Sequence, residues 1–558
     1  MAEAAAKAET KGFLGWVEKT GNKLPDPVFI FFYLIILLMV ISQICAWLGV
    51  SAFHPTLTDQ AGNPKLEEAV SLFAPENIEK LWVKMPETFT HFHPLGYVLV
   101  VMLGAGVAER SGLFGSAIRG AVRSAPKAML TPLVALIAML SNHAADAGYV
   151  VMIPLAAIIF ASAGRHPLAG ITAAFAGVSG GFSANIAPGQ LDALLFGITE
   201  SAYAASSIDG GWSVNFAGNW YFISALLFIY LPVIWYVTDR IIEPRLGNWV
   251  PDAGSDMQSY GSENEALTDQ QKRGLRNAGL AILAVGILWT IMTVMPNAPL
   301  WYDDAELMAA CLAKGKAEAA CLTSVANAEW YNHLEPFFKS MVAAFLVIFL
   351  AAGWAYGAAA KTINNHKDLV ALMAEGMKDM GYYLVLAFAA AHFVAMFGWS
   401  NLGLISAVPG ADAINGIKEA GVLPDAIVLP LILGLIVLFS GILNLFVGSA
   451  SAKWALLAPV LVPMLMLVGI SPDGATAAYR VGDGATNIIT PLMVYFPLIL
   501  VFAQRWKKDF GLGSLTAMMI PYSIWMLITG IILMMAWLYL GFPLGPGAPA
   551  QIPIPGAG

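Results

Sequence analysis

Charge is what this chain has least of. Only 12% of its 558 residues are Asp, Glu, Lys or Arg, against the ~25% usual in soluble globular proteins, while 58% are hydrophobic. The apolar residues fall in long runs. Phe29 to Val50 and Ala517 to Leu540 carry no charge at all, and about 20 such residues cross ~30 Å of hydrocarbon. Repetition at this length excludes a soluble globular protein. The net charge of −8 comes without any basic cluster, so nucleic acid is not an expected partner. There are three cysteines, and no second Cys or His pair has metal-ligand spacing. No P-loop and no H-E-x-x-H occur, so neither an ATP-driven engine nor a zinc hydrolase is expected in this chain. Met1 to Lys23 is rich in Ala, Lys and Glu and lacks an apolar stretch before a small-residue cleavage site, so the first apolar segment is expected to remain as a span.

Apolar windows set against helix breakers give nine expected spans, near 28–49, 95–109, 168–200, 219–239, 277–295, 336–356, 378–398, 474–503 and 517–540. The segments 126–163 and 425–468 are too long for one crossing, and each is interrupted at its middle by small polar residues. Both are expected to be re-entrant hairpins. With the N-terminus in the cytoplasm, twenty Lys and Arg fall inside and six outside, leaving Lys339, Lys453 and Arg480 within membrane segments. Making either hairpin a full crossing scrambles this asymmetry. The expected topology therefore has the N-terminus in the cytoplasm and the C-terminus outside, in the inner membrane of a bacterium. Cys311 and Cys321 then lie in an external loop, where a disulfide is expected and two free thiols are the alternative.

The order span, span, hairpin, interrupted span, span occurs twice. It divides the chain into a cytoplasmic segment 1–27 and a first repeat 28–240, with hairpin 126–163 and broken helix 168–200. Residues 241–335 then hold a cytoplasmic linker, connector helix 277–295 and an external loop. A second repeat follows at 336–541, with hairpin 425–468 and broken helix 474–503, and an external tail at 542–558. Five crossings separate the two repeats, which inverts one relative to the other. The fold class expected is an all-α polytopic membrane protein with about nine transmembrane helices and two re-entrant hairpins. Alternating access needs a structure that looks alike from both sides, so this arrangement points to a secondary transporter. A passive channel and a membrane-embedded enzyme are the rival classes, with His143 and Asp146 as the only nearby groups for the latter.

The chemistry gathers at the interruptions. The first tip runs from Ser141 through Asn142, His143 and Asp146 to Gly148, and non-helical backbone at membrane depth is tolerated where it lines a cavity or is buried in protein. The following span breaks from Gly180 to Gly189, with Ser183, Asn185 and Pro188 in the break and Asp192 just beyond it. The second tip holds Ser449, Ser451, Lys453 and Trp454, and its partner span holds Arg480, Asp483, Thr486, Asn487 and Pro491. Unwound carbonyls with Ser141, Asn142, Ser183, Asn185, Ser449, Thr486 and Asn487 make candidate Na⁺ ligands, while Asp192 and Asp483 can carry protons. Arg480 and Asp483, three residues apart, share a helix face; they either neutralise each other or place Arg480 as a fork for a substrate carboxylate. Trp454 offers a flat wall for an aromatic ring. No cofactor is expected besides the coupling ion, Na⁺ or H⁺.

On these residues the chain resembles the aminobenzoyl-glutamate transporter (AbgT) family. The likeness rests on SNHAADAGYVVMIPLAA at 141–157, GGFSAN and LDALL around the first break, GSASAKWALLAPVLVPM at 448–464 and YRVGDGATNIITPLMVYFPL at 479–498. It implies an ion-coupled, homodimeric, elevator-type transporter in the lipid bilayer. Its small-molecule substrate would be p-aminobenzoyl-glutamate, taken up, or a sulfonamide-type antimetabolite, expelled. For substrate binding it implies Asp192, Ser451, Trp454, Arg480, Asp483 and Pro491. A carrier of small dicarboxylates or other organic anions with the same architecture is the alternative.

Overall fold

The computed structural model describes residues 25–58, 63–123, 129–144, 148–208, 211–212, 215–249, 266–313, 318–490, 492–493 and 495–555. Helix α1 (Pro27–Trp47) opens with proline in its first turn and with the Asp26 carboxylate accepting the Val28 amide at 2.9 Å, which satisfies one of the donors a helix start leaves open. Phe29, Tyr33, Ile36 and Leu37 stay exposed on it, the apolar-all-round pattern of a helix facing lipid. A two-stranded hairpin, β1 (Ser51–Thr58) and β2 (Pro64–Glu68), follows it. Next come α2 (His93–Arg110) and α3 (Leu113–Arg123), then the first hairpin with arms α4 (Leu130–Leu140) and α5 (Ile153–Ser162). The interrupted span is α6 (Pro167–Phe175), prolonged by a wide turn to Gly180, and α7 (Gln190–Ser206). Helix α8 (Trp220–Tyr236) closes the first repeat and α9 (Asp269–Val294) connects to the second.

The second repeat uses α10 (Glu335–Ala360), α11 (His366–Asp379), α12 (Gly381–Trp399) and α13 (Leu402–Glu419), followed by hairpin arms α14 (Asp425–Asn444) and α15 (Ala450–Met466). Its interrupted span is α16 (Pro472–Asn487) with α17 (Phe496–Trp506), and α18 (Leu512–Tyr539) ends it. Among the described residues, seven helices are long and apolar enough to cross a membrane, or eight when α2 and α3, bent by 63°, count together. The nine expected spans thus do not all exist as single helices, because 168–200 and 474–503 are split at their Gly- and Pro-rich centres. Helices α3, α11 and α13 were not expected; amphipathic or mixed stretches at helical spacing carry no long apolar run.

Side-chain contacts show the sense of each hairpin. The Arg165 guanidinium, just past α5, donates to the Thr131 hydroxyl at the start of α4 at 2.7 Å, so both feet of the first hairpin stand at one end of the bundle. Ser440 and Asn444 of α14 donate to the backbone carbonyls of Tyr479 and Asp483 of α16 in step, both at 2.8 Å, so these two helices run parallel. The start of α14 therefore lies with the start of α16, to which α15 is joined by residues 467–471. Helices α7 and α16 run antiparallel, since Thr199 meets Thr476 at 2.7 Å and Asp192 meets Arg480 at 2.7 Å. The two hairpins consequently stand on opposite ends, the inverted repeat expected. Within each hairpin the arms splay. Helix α14 packs along α16 and α18, while α15 packs on α7 and α13.

The parallel contact is close because it is made at glycine. A Cβ on Gly482 would lie 1.9 Å from the Val437 carbonyl oxygen, so only a residue with no side chain lets α14 and α16 meet there. Two apolar cores result. The larger spans both hairpins, both interrupted helices, α8 and α18. A separate one joins α2, α9 and α10 through Val101, Met102, Ala105, Ala278, Phe349 and Tyr356. In the loop after α9, Cys311 and Cys321 form a disulfide with Cα atoms 5.7 Å apart.

Candidate substrate and ion site

The break between α6 and α7 is held open by its neighbours. The Trp220 indole and the Ser224 hydroxyl donate to the Ile186 carbonyl at 2.8 and 3.3 Å, and the Asn185 amide donates to the Ile223 carbonyl at 3.2 Å. Backbone groups released from the helix thus find partners on α8. Helix α7 restarts with the Gly189 amide donating to Asp192 Oδ2 at 2.7 Å. That leaves Asp192 Oδ1 pointing across the repeat interface, where Arg480 Nη1 donates to it at 2.7 Å. Both side chains are buried. Arg480 Nη1 also reaches Asn219 Oδ1 at 3.5 Å, and its Nε has no partner among the described residues. The two interrupted spans cross close by at Gly484, where a Cβ would lie 3.0 Å from the Gly180 carbonyl oxygen.

A crevice opens beside this pair, lined by Asp192, Phe196, Thr199, Phe216, Asp473 and Arg480 among others. About 20 Å³ of it is open to the centre of a water molecule, room for one or two waters. In this conformation it is too small for an aromatic amide. Phe196 and Phe216, edge to face with ring centres 6.3 Å apart, form its aromatic wall.

Of the two readings of the Arg480 and Asp483 spacing, mutual neutralisation is not formed. Three residues apart on a helix they point about 60° apart round the axis, and each finds a partner on another element. Arg480 takes Asp192, and Asp483 takes the ammonium of Lys453, just past the second tip. Trp454 is fully buried, stacked on Tyr479 at 4.6 Å with its indole donating to Thr199 at 2.9 Å, and is not among the residues lining the crevice beside Arg480. Ser449 accepts the Ala452 amide at 3.3 Å, and its hydroxyl lies 3.3 Å from that of Ser451. Pro491 and Asp146 lie outside the described residues.

The candidate Na⁺ ligands divide between the two breaks. Ser141 and Asn142 donate to carbonyls of their own helix, Ala138 at 2.6 Å and Met139 at 2.9 Å. Asn185 accepts the Ile186 amide, and Ser183 is buried with no partner among the described residues. Thr486 and Asn487 each accept from Asn444, at 3.0 and 2.8 Å. Gly177 to Gly181 spells the letters of a hydrolase G-x-S-x-G, but Ser179 is buried inside a helical turn with its hydroxyl on Met493 sulfur, not on a strand-to-helix elbow.

Sequence reasoning missed Asn444, Thr199, Asn219 and Asp473 as members of the site and assigned Lys453 no role. Lys453 had a signal, an ammonium inside an apolar run. Asp473 accepts the Trp212 indole at 2.7 Å, and Asn219 donates to its carbonyl at 3.0 Å; in the sequence it stands in Ser-Pro-Asp-Gly, which looks like an ordinary helix start.

Inverted repeats whose hairpins and interrupted helices enclose a buried arginine and carboxylates define a multi-pass membrane transporter. The sequence matches the profile of the AbgT putative transporter family over residues 12–552, and the chain belongs to that family. It is 35% identical over 550 residues to the p-aminobenzoyl-glutamate transport protein of Escherichia coli K12, covering 98% of each chain. Two solved structures are similar. The Alcanivorax borkumensis YdaH transporter, reported to have an unusual topology, superposes with a TM-score of 0.78 at 38% identity, covering 94% of this chain and 100% of that one. Neisseria gonorrhoeae MtrF, described as illuminating a class of antimetabolite efflux pumps, superposes with a TM-score of 0.81 at 39% identity, covering 96% and 100%.

Proposed function

We propose that this protein is an ion-coupled secondary transporter of aromatic, anionic folate-pathway compounds, of the kind represented by p-aminobenzoyl-glutamate or a sulfonamide antimetabolite. The observation that carries the reading is the Arg480–Asp192 contact, which joins the two repeats at the edge of a crevice walled by Phe196 and Phe216. A guanidinium fork suits a carboxylate, and the rings suit an aromatic body. When the site is empty Arg480 is occupied by Asp192. An anionic cargo must compete with the Asp192 carboxylate for it, so cargo binding and release of Asp192 go together.

The same reading makes the unit of hairpins and interrupted helices the part that moves, with α2, α9 and α10 as scaffold. These three helices share a core of their own. Their contact with the moving unit is close at Gly197, where a Cβ would fall 2.7 Å from Pro94 Cα, and Tyr97 there donates to Glu200 at 3.2 Å. The proposal includes the bacterial inner membrane, a cytoplasmic N-terminus, a periplasmic C-terminus, and assembly as a homodimer. Translocation is the whole reaction; no bond is made or broken. Flux of labelled p-aminobenzoyl-glutamate and of a sulfonamide into liposomes, with Na⁺ and pH gradients imposed separately, tests it. Near-normal flux in Arg480→Ala, Asp483→Ala and Asp192→Ala alike would refute the site.

A further inference from the structure

Beyond the substrate contacts, the second repeat holds a positive charge at its centre. Lys453, in the first turn of α15, is 0% exposed, as are Asp483 and Asn444. Its ammonium contacts Asp483 Oδ1 and Asn444 Oδ1. Asn444 closes the cage by donating to the Asp483 carbonyl at 2.8 Å, Thr486 Oγ1 at 3.0 Å and Asn487 Oδ1 at 2.8 Å. One cation thus ties the end of α14, the start of α15 and the middle of α16 together. In the first repeat no Lys or Arg stands between residues 129 and 164, and the cation that meets its Asp192 is Arg480, brought in from the second repeat.

Taking an ammonium out of water is costly unless oxygens replace its hydration, and here a carboxylate and a side-chain amide do so. The two oxygens that meet it, one carboxylate and one amide, are of the kind that binds hard cations. We propose that Lys453 is a tethered cation. Its ammonium fills, in the second repeat, the place a free monovalent cation would otherwise take, and so locks the tip to the interrupted span. This half then takes up no sodium of its own, and the two halves of the inverted repeat differ in ion chemistry although they agree in fold. The inference deepens the transporter reading for its consequence in coupling, but the site itself stands on geometry alone.

The test therefore reads stability and not flux. Lys453→Ala leaves Asp483 without its counter-charge, with only the Tyr479 hydroxyl at 3.5 Å, and opens a space the length of the missing chain. Its melting temperature in detergent should fall by roughly 5 °C or more. Methylammonium or ethylammonium should restore it saturably, choline at equal ionic strength should not, and the unmodified protein should respond to none of them. An Ala variant that melts with the wild type, or one that choline and methylammonium stabilise alike, overturns the proposal. Should the Ala variant fail to fold, Lys453→Met combined with Asp483→Asn removes both charges at nearly constant volume. That double variant should fold; its failure would equally overturn the idea, because the cage would then be needed for packing and not for charge. Absence of flux in the unmodified protein, with amine rescue of the variant intact, would count against the transporter reading only.

Discussion

Replacing Asp192 by Asn isolates the competition for Arg480. Asparagine keeps an oxygen to accept the Gly189 amide, which Asp192 accepts at 2.7 Å, so α7 should still start where it does. What disappears is the charge facing Arg480 Nη1, also 2.7 Å away. At an effective dielectric of about 20, unit charges ~4 Å apart attract by ~4 kcal/mol. That attraction opposes every anionic cargo that needs the same guanidinium. If half of it is recovered when a substrate carboxylate takes the vacated place, ~2 kcal/mol corresponds to about 30-fold tighter binding. The empty protein should meanwhile lose stability, since an unpaired buried charge costs about 3–5 kcal/mol. Calorimetric titration of p-aminobenzoyl-glutamate into the wild type and the variant is the assay. Asp192→Asn should bind the cargo more tightly than the wild type and yet carry little ion-driven flux, because the contact that cargo and Asp192 share at Arg480 is no longer contested. A variant that binds no more tightly than wild type would refute the competition.

Three further outcomes follow from the same geometry. Arg480→Lys retains the charge but not the planar fork, so cargo affinity should fall by about 10- to 100-fold while folding survives; equal affinity in binding assays would show that only charge matters. Gly197→Leu pushes a side chain into Pro94 of α2, where a Cβ alone would sit 2.7 Å from Cα; flux in liposomes should drop more than binding if that seam slides, and an unchanged rate would remove it from the moving interface. Exchange of Cys311 and Cys321 for serine opens a disulfide spanning 10 residues, worth about 3 kcal/mol of chain constraint; limited proteolysis of the 297–335 loop should quicken, with transport rate preserved.

Much of the fold was legible because membrane solvation writes itself into composition. Uncharged runs such as 29–50 can only be spans, and Gly, Ser and Asn at the centre of 126–163 and 425–468 mark backbone that leaves the helix. Helices α3, α11 and α13 escaped notice because their mixed faces, exemplified by Lys367, Asp368 and Glu375 on α11, resemble loop. For the site, the residues were legible but their partners were not. Neighbours three apart in sequence invited the pairing of Arg480 with Asp483, whereas Asp192 lies nearly 300 positions away, at a sequence separation of 288. Only the antiparallel packing of α7 on α16 brings it there. Trp454 likewise had the chemistry of a substrate wall, and the hydroxyl of Thr199 turns its indole inward. Packing direction is a property of the whole bundle, and no local pattern announces it.

The apolar cluster joining α2, α9 and α10 has a thermodynamic consequence. Its apolar side chains form a cluster apart from the one that holds the hairpins, which is the arrangement expected of a part that melts separately. A chain built this way is not bound to lose its order in one cooperative step, and a single unfolding free energy for it would blend two separate quantities. Damage on one side of the seam therefore need not register in the melting of the other.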